Sequence, residues 1–158
     1  MMLNCAQLFN LGLMEWTYKI WQELGRDELF DIYKLRVDVF VVEQDCAYPE
    51  IDDNDKLVGH LFAYADGQLT AYSRLCPPNT VYPEASMGRV ICHPGFRGQG
   101  LGRELVKRAV EQMQKDFPEQ NIKAQAQQYL EDFYKSFGFK TISEPYLEDG
   151  IAHVDMVL

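Results

Sequence analysis

No apolar run in this 158-residue chain is long enough to span a bilayer. Met1 to Met14 carry no charged side chain, so the basic start that a secretory signal needs is missing too. Cysteine and histidine are scarce and scattered. Cys5, Cys46, Cys76 and Cys92 show no paired spacing, which favours inert thiols in a reducing, cytoplasmic setting over a disulfide framework. His60, His93 and His153 lie far apart and make no metal-ligand pattern, so no metal is expected. Basic residues are outnumbered, 15 against 24 acidic, and the net charge of −9 argues against a nucleic-acid surface and for a cationic acceptor. Repeats and low-complexity tracts are absent. What remains is ordinary globular material: 47% apolar and 13% aromatic residues, enough for one sizeable core and short of two.

The most informative stretch runs from Ala85 to Met113. Ser86 to Cys92 reads as a strand that stops at His93-Pro94, where proline removes a ladder donor. After Arg97, Gly98, Gln99, Gly100, Leu101 and Gly102 come apolar residues at Leu105, Val106, Ala109, Val110 and Met113, the spacing of a one-faced helix. Glycines at alternate positions before a helix let the backbone turn tightly and gather N–H groups. The helix dipole, Arg97 and Arg103 add positive charge, so a pyrophosphate suits the loop. Gly102-Arg103-Glu104 replaces the Gly-Lys-Ser/Thr of a P-loop, and the even glycine spacing is not that of a dinucleotide fingerprint.

The pattern Arg-x-x-Gly-x-Gly at Arg97, Gly100 and Gly102 resembles the acyl-coenzyme A pyrophosphate loop of the GNAT family of N-acetyltransferases. LEDFYKSFGF, Leu130 to Phe139, holds Tyr134, Gly138 and Phe139 in the spacing of that family's later helix and strand. Leu35 to Asp53 and Tyr146 to Met156 are similar to its ElaA-type branch. The acyl-homoserine lactone synthases share an Arg and aromatic segment near the first helix but match the Arg97 to Gly102 loop poorly. The resemblance implies a GNAT acyltransferase fold over residues 14–158, with residues 1–13 a small extension, a misassigned start or an expression remnant that packs loosely.

Read in order, the chain gives an opening strand at Trp16 to Trp21 and a helix begun by Asp27 as N-cap, with a stripe of Leu29, Ile32, Tyr33, Val39 and Phe40. Arg36 interrupts that stripe. A buried arginine must be paired, and Glu43, seven residues on, is the nearest partner. Six acids between Glu43 and Asp55 read as a solvated loop or, by resemblance, as a wall of the acceptor pocket. Lys56 to Tyr64 and Leu69 to Cys76 form a hairpin across Asp66-Gly67, and a proline-rich loop leads to the central strand. Ile122 to Ala126 is a strand parallel to Ser86 to Cys92 by a right-handed crossover. A helix from Leu130 to Phe137 ends at Gly138, and Phe139 to Ser143 pairs with Ala152 to Leu158 around a loop from Glu144 to Ile151. The sum is an α/β (α+β) fold with a mixed, mainly antiparallel sheet of six or seven strands flanked by helices. Its terminal edge strands suit a homodimer.

By resemblance, acetyl-CoA is the co-substrate. Val90 and Ile91 lie where the family splays its central parallel strands and frees N–H groups for the thioester, and Gln127 stands where an amide contacts the cofactor. Tyr134 is expected to protonate the leaving thiolate or else to line the channel; a phenol with a reference pKa near 10 is protonated at neutral pH. Glu43, His153 and Glu148 are candidate bases, with His60 a poorer one. Arg89 either orients an acceptor carboxylate or is a solvated strand charge. Cys92 lacks an activating partner and is no nucleophile. The expected activity is direct acetyl transfer to a primary amine of a small molecule or peptide; a non-catalytic acyl-CoA binding module is the alternative.

Overall fold

A computed structural model describes residues 13–158. The expected extension falls outside them except for its last residue, Leu13. Eight strands form one sheet: β1 (Glu15–Ile20), β2 (Gly59–Ala65), β3 (Gln68–Cys76), β4 (Ala85–Cys92), β5 (Ile122–Gln127), β6 (Lys140–Thr141), β7 (Tyr146–Glu148) and β8 (Ile151–Val157). Their order is β1-β2-β3-β4-β5-β8-β6, with β7 also on β8. Among the described residues only the β4–β5 pair is parallel, as the strand, helix, strand sequence requires.

Two apolar layers cover the two faces. One packs helix α2 (Leu101–Asp116) and the short α3 (Glu131–Lys135) on the sheet; α2 contributes Leu101, Leu105, Val106, Ala109 and Met113, all buried. The other packs helix α1 (Arg26–Arg36), through Ile32 and Leu35, against Phe62, Leu69, Tyr72 and Ile91. β3 lies between the layers, which is why every residue after Gln68 is buried, Thr70, Ser73 and Arg74 included.

Eight strands replace the expected six or seven because β7 forms inside the stretch read as a loop. Asp149 and Gly150 both take positive φ, 50° and 78°, and close a β7–β8 hairpin as Asp66 and Gly67 (50° and 75°) close β2–β3. The N-cap of α1 is Gly25, not Asp27. The Glu28 carboxylate accepts the Gly25 N–H at 2.8 Å and the Lys19 ammonium at 2.7 Å, which fixes the start two residues earlier. β2 starts at Gly59 and not at Lys56, since Asp52 accepts the Asn54 N–H at 3.0 Å and winds Asp53–Lys56 into a 3-10 turn.

Beyond Arg36 the helix widens into a π-helix, Val37–Glu43. Its run of β-branched residues is a poor α-helix former. The wider turn breaks the 3.6-residue register, so the seven-residue spacing does not bring Glu43 to Arg36. Arg36, fully buried, instead donates through Nε to Glu50 Oε1 at 2.7 Å and through Nη1 to Asp55 Oδ1 at 2.8 Å. The acidic stretch is therefore not a simple solvated loop. It folds Glu50 and Asp55 inward, where Arg74 also reaches Asp55 at 3.2 Å and Asp52 at 2.9 Å. Burial alone would raise the Asp55 carboxyl, but the hydrogen bond and charge of Arg36, with those of Arg74, hold it below the ordinary value.

His60 sits inside this network and not at an active site. Its Nε2 meets the Asp55 carbonyl at 2.9 Å, so Nε2 carries the proton and Nδ1 accepts from the Tyr72 hydroxyl at 2.8 Å. Burial lowers its pKa below the ordinary 6.5. A depressed histidine contributes stability that is present above about 6.5 and lost as pH falls toward its folded value. Melting temperature is therefore expected to fall between pH 7.5 and 5.5, assay values set around that ordinary value, in the wild type. The fall should be smaller in His60→Gln; identical slopes in the two proteins would remove His60 from the effect.

Candidate active site

β4 and β5 pair only over Ala85↔Ile122, Ser86↔Lys123 and Met87↔Ala124. Past Met87 they part, and the edge of β4 carrying Val90 and Ile91 has no ladder partner in β5. A bulge drives the separation: Arg74 faces Gly88 and Tyr72 faces Ile91, so Arg89 and Val90 together oppose Ser73. Arg89 there takes a φ of 52°. On its other edge β5 stays laddered to β8 throughout, with Gln127 opposite His153.

The opening belongs to a cleft of about 520 Å³. Val90, Ile91, Arg97, Gln127 and Tyr134 line it, as do Glu43, Glu148, His153 and Arg89. The structure thus gathers residues spread over more than a hundred positions, and leaves His60 out. Among the described residues, no group of three or more His, Cys, Asp or Glu side chains gathers as a metal site.

Ahead of α2 stands the glycine loop, of which only the leading residue, Arg97, lines the cleft. Gly98 and Gly100 have φ of 76° and 84°, conformations that side-chain-bearing residues seldom adopt, with Gln99 between them. Gly100 caps α2, and the first intrahelical bond runs from Glu104 N to Gly100 O at 3.2 Å, so the N–H groups of Leu101, Gly102 and Arg103 precede it. A Cβ on Gly102 would meet no protein atom closer than 3.8 Å. Packing against the neighbouring elements therefore does not demand glycine there. The Leu101 side chain is buried in the core.

The arginines are already engaged. Arg97 forks onto Glu43, Nη1 to Oε1 at 2.7 Å and Nη2 to Oε2 at 3.1 Å, and its Nε donates to the Cys92 carbonyl at 3.1 Å. Arg103 turns to the other side of the loop, donating to Ser136 Oγ at 3.0 Å with its guanidinium 4.8 Å from the Phe137 ring centroid. Gln127 donates to Gln44 Oε1 at 3.2 Å, tying β5 to the end of the π-helix.

Tyr134, on α3, is 5% exposed and packs edge-on against Phe133 and Phe139. Burial pushes its phenol pKa well above 10, so it is a proton donor throughout the neutral range. His153 approaches from β8. Its Nδ1 donates to the Ile151 carbonyl at 2.8 Å, which leaves the Nε2 lone pair of the neutral ring as an acceptor. Burial drives the Cys92 thiol up to about 11, so it is not a thiolate at neutral pH.

Sequence reading passed over several lining residues: Gln44, Tyr48, Arg74, Tyr82 and Gln125. Gln125 had a signal, since Gln125 and Gln127 alternate with buried Ala124 and Ala126 and must share the other face of β5. Arg74 had one too, a lone charge in an apolar strand. Tyr82 sits in a proline-rich loop and had none.

The acetyltransferase (GNAT) domain family matches residues 28–158. A UPF0039 protein of Schizosaccharomyces pombe is 44% identical over 147 residues, 92% of this chain and 97% of that one. Protein ElaA of Escherichia coli is 35% identical over 147 residues, 91% of this chain and 95% of its own. Among solved structures, an acyl-CoA N-acyltransferase from Pseudomonas aeruginosa superposes with a TM-score of 0.87 at 39% identity, covering 91% of this chain and 98% of that one. An acyl-homoserine lactone synthase, BjaI, shares the fold at a TM-score of 0.72 and 18% identity, covering 92% of this chain and 82% of its own. By domain match, by sequence and by fold, the chain belongs to the GNAT acetyltransferase family, in its ElaA-like branch.

Proposed function

We propose that the protein moves an acetyl group from acetyl-CoA to the primary amine of a small molecule or peptide, by direct transfer in a ternary complex. The observation that carries this reading is the gap between β4 and β5, which lies in one cleft with the residue leading into the glycine loop, Arg97, and with Tyr134 and His153. The amides of Gly98, Gln99, Gly100, Leu101, Gly102 and Arg103 would hold the pyrophosphate, with Arg97 moving from Glu43 to phosphate oxygen. Acetyl-CoA would supply an acyl group activated as a thioester. The unladdered edge at Val90 and Ile91 offers main-chain donors beside it. Tyr134 holds the proton that a departing thiolate needs. His153, with Nδ1 fixed on a carbonyl, is the better base; Glu43 is held in its fork with Arg97.

Thiol release from acetyl-CoA with a panel of amines tests the proposal against the binding-module alternative, which predicts coenzyme A uptake and no release with any amine. Two substitutions separate the candidate bases. His153→Gln is expected to slow turnover by roughly 100-fold or more, with little change in acetyl-CoA affinity. Glu43→Gln should leave turnover nearly intact and tighten coenzyme A binding by up to about fivefold in calorimetry, because the pair it removes is worth at most ~1 kcal/mol when its partners are 43% and 42% exposed. The reverse pattern would make Glu43 the base.

A further inference from the structure

We infer that the acceptor amine carries a carboxylate and that Arg89 reads it. This rests on the acyl-transfer reading above and narrows its acceptor. Arg89 lines the cleft with its side chain 25% exposed, in contrast to Arg36 and Arg74, which are buried. It is held from behind. Its Nε lies 2.7 Å from Glu50 Oε2, and its guanidinium carbon stands 6.0 and 5.9 Å from the ring centroids of Phe40 and Tyr48. Glu50 is itself fixed by Arg36 and by the Tyr48 hydroxyl at 2.6 Å, so the Arg89 side chain is oriented before any ligand arrives.

Only Nε is committed among the described residues. Asp52 Oδ2 stands 4.0 Å from Nη2, beyond hydrogen-bond reach. The remaining Nη1 and Nη2 edge presents parallel N–H donors to the two oxygens of a planar carboxylate. Arg74, beside it on the cleft wall, has a buried Nε–H without a partner. Charge decides the valence of the guest. Arg36, Arg74 and Arg89 are balanced by Glu50, Asp52 and Asp55, so a monoanion is tolerated while a phosphate dianion would be repelled by Glu50 and Asp52. Elsewhere on the same cleft, Glu148 and Asp149 have no cationic partner among the described residues and line the wall with His153. A cleft with charge of both signs fits a zwitterion: an amino acid, or an amine linked to a carboxylate.

The experiment compares matched acceptors: amino acids, their C-terminal amides and the corresponding decarboxylated amines. Each is assayed for thiol release from acetyl-CoA and for binding by calorimetry with coenzyme A present. The free acids should be favoured roughly 10- to 100-fold over amides and amines in both readouts. Arg89→Gln should erase that preference, Arg89→Lys should restore part of it, and coenzyme A affinity should stay unchanged in both. Equal use of acid and amide by the wild type, or an undiminished preference in a folded Arg89→Gln, overturns the inference while leaving acyl transfer standing. Preferential binding of the acids without thiol release supports the inference and sinks acyl transfer. Failure of every acid to bind the coenzyme A complex overturns the inference as well.

Discussion

Tyr134→Phe is expected to lower turnover by about 100-fold or more, the usual loss when a positioned general acid is removed, while coenzyme A affinity stays within about threefold. The substitution deletes one hydroxyl and keeps the ring. Edge-on packing with Phe133 and Phe139 should therefore persist, and so should the shape of the cleft behind the β4–β5 gap. Because burial raises the phenol pKa well above its ordinary 10, the wild-type rate should show no loss from Tyr134 ionisation up to pH 10. Turnover in Tyr134→Phe equal to wild type would reduce the residue to part of the channel wall. A parallel loss of coenzyme A binding would assign it to binding and not to proton delivery.

Arg36→Ala should have the largest effect on stability. It takes one of two cations from each of the buried Glu50 and Asp55, 3% and 1% exposed, leaving Arg89 on the first and Arg74 on the second. Breaking a buried pair in this way costs about 3–5 kcal/mol, which for a chain of this size corresponds to a drop of roughly 6–20 °C in melting temperature. Lys34→Ala, two residues away, removes a pair whose side chains are 63% and 53% exposed and should cost less than about 1 kcal/mol. The contrast between neighbours is the test, and a loss in Arg36→Ala no greater than in Lys34→Ala would show that the network is not what holds the acidic loop down. Activity should fall along with stability, since Glu50 links Arg36 to Arg89 at the cleft.

How far the sequence could be read depended on whether a constraint was local. The glycine loop was legible because positive φ at Gly98 and Gly100 is a property of single residues, and so was the hairpin at Asp66-Gly67. The same dipeptide at Asp149-Gly150 was passed over, and with it β7, because only three polar-edged residues precede it and they carry no strand alternation of their own. Arg36 was visibly out of place on an apolar stripe, but its partners could not be found by counting along an α-helix. The π-helix after it changes the register, and the true partners arrive from a loop 14 and 19 residues away. The shape of the cleft was out of reach for a related reason. It is made by a one-residue bulge at Arg89 and Val90 and by two strands that stop pairing after three residues, and neither leaves a mark in composition or periodicity. That Arg97 would be found paired with Glu43 was likewise hidden, since 54 residues separate them.

Acyl transfer as proposed depends on main-chain donors at the start of α2 gripping the pyrophosphate of coenzyme A. A crystal structure with coenzyme A bound tests it most directly. The two phosphates are expected against the amides of Gly98 to Arg103, with Arg97 released from Glu43 and the thiol in the opening between β4 and β5 near Tyr134. Phosphates seated elsewhere, or a nucleotide that leaves the β4–β5 opening empty, would contradict it.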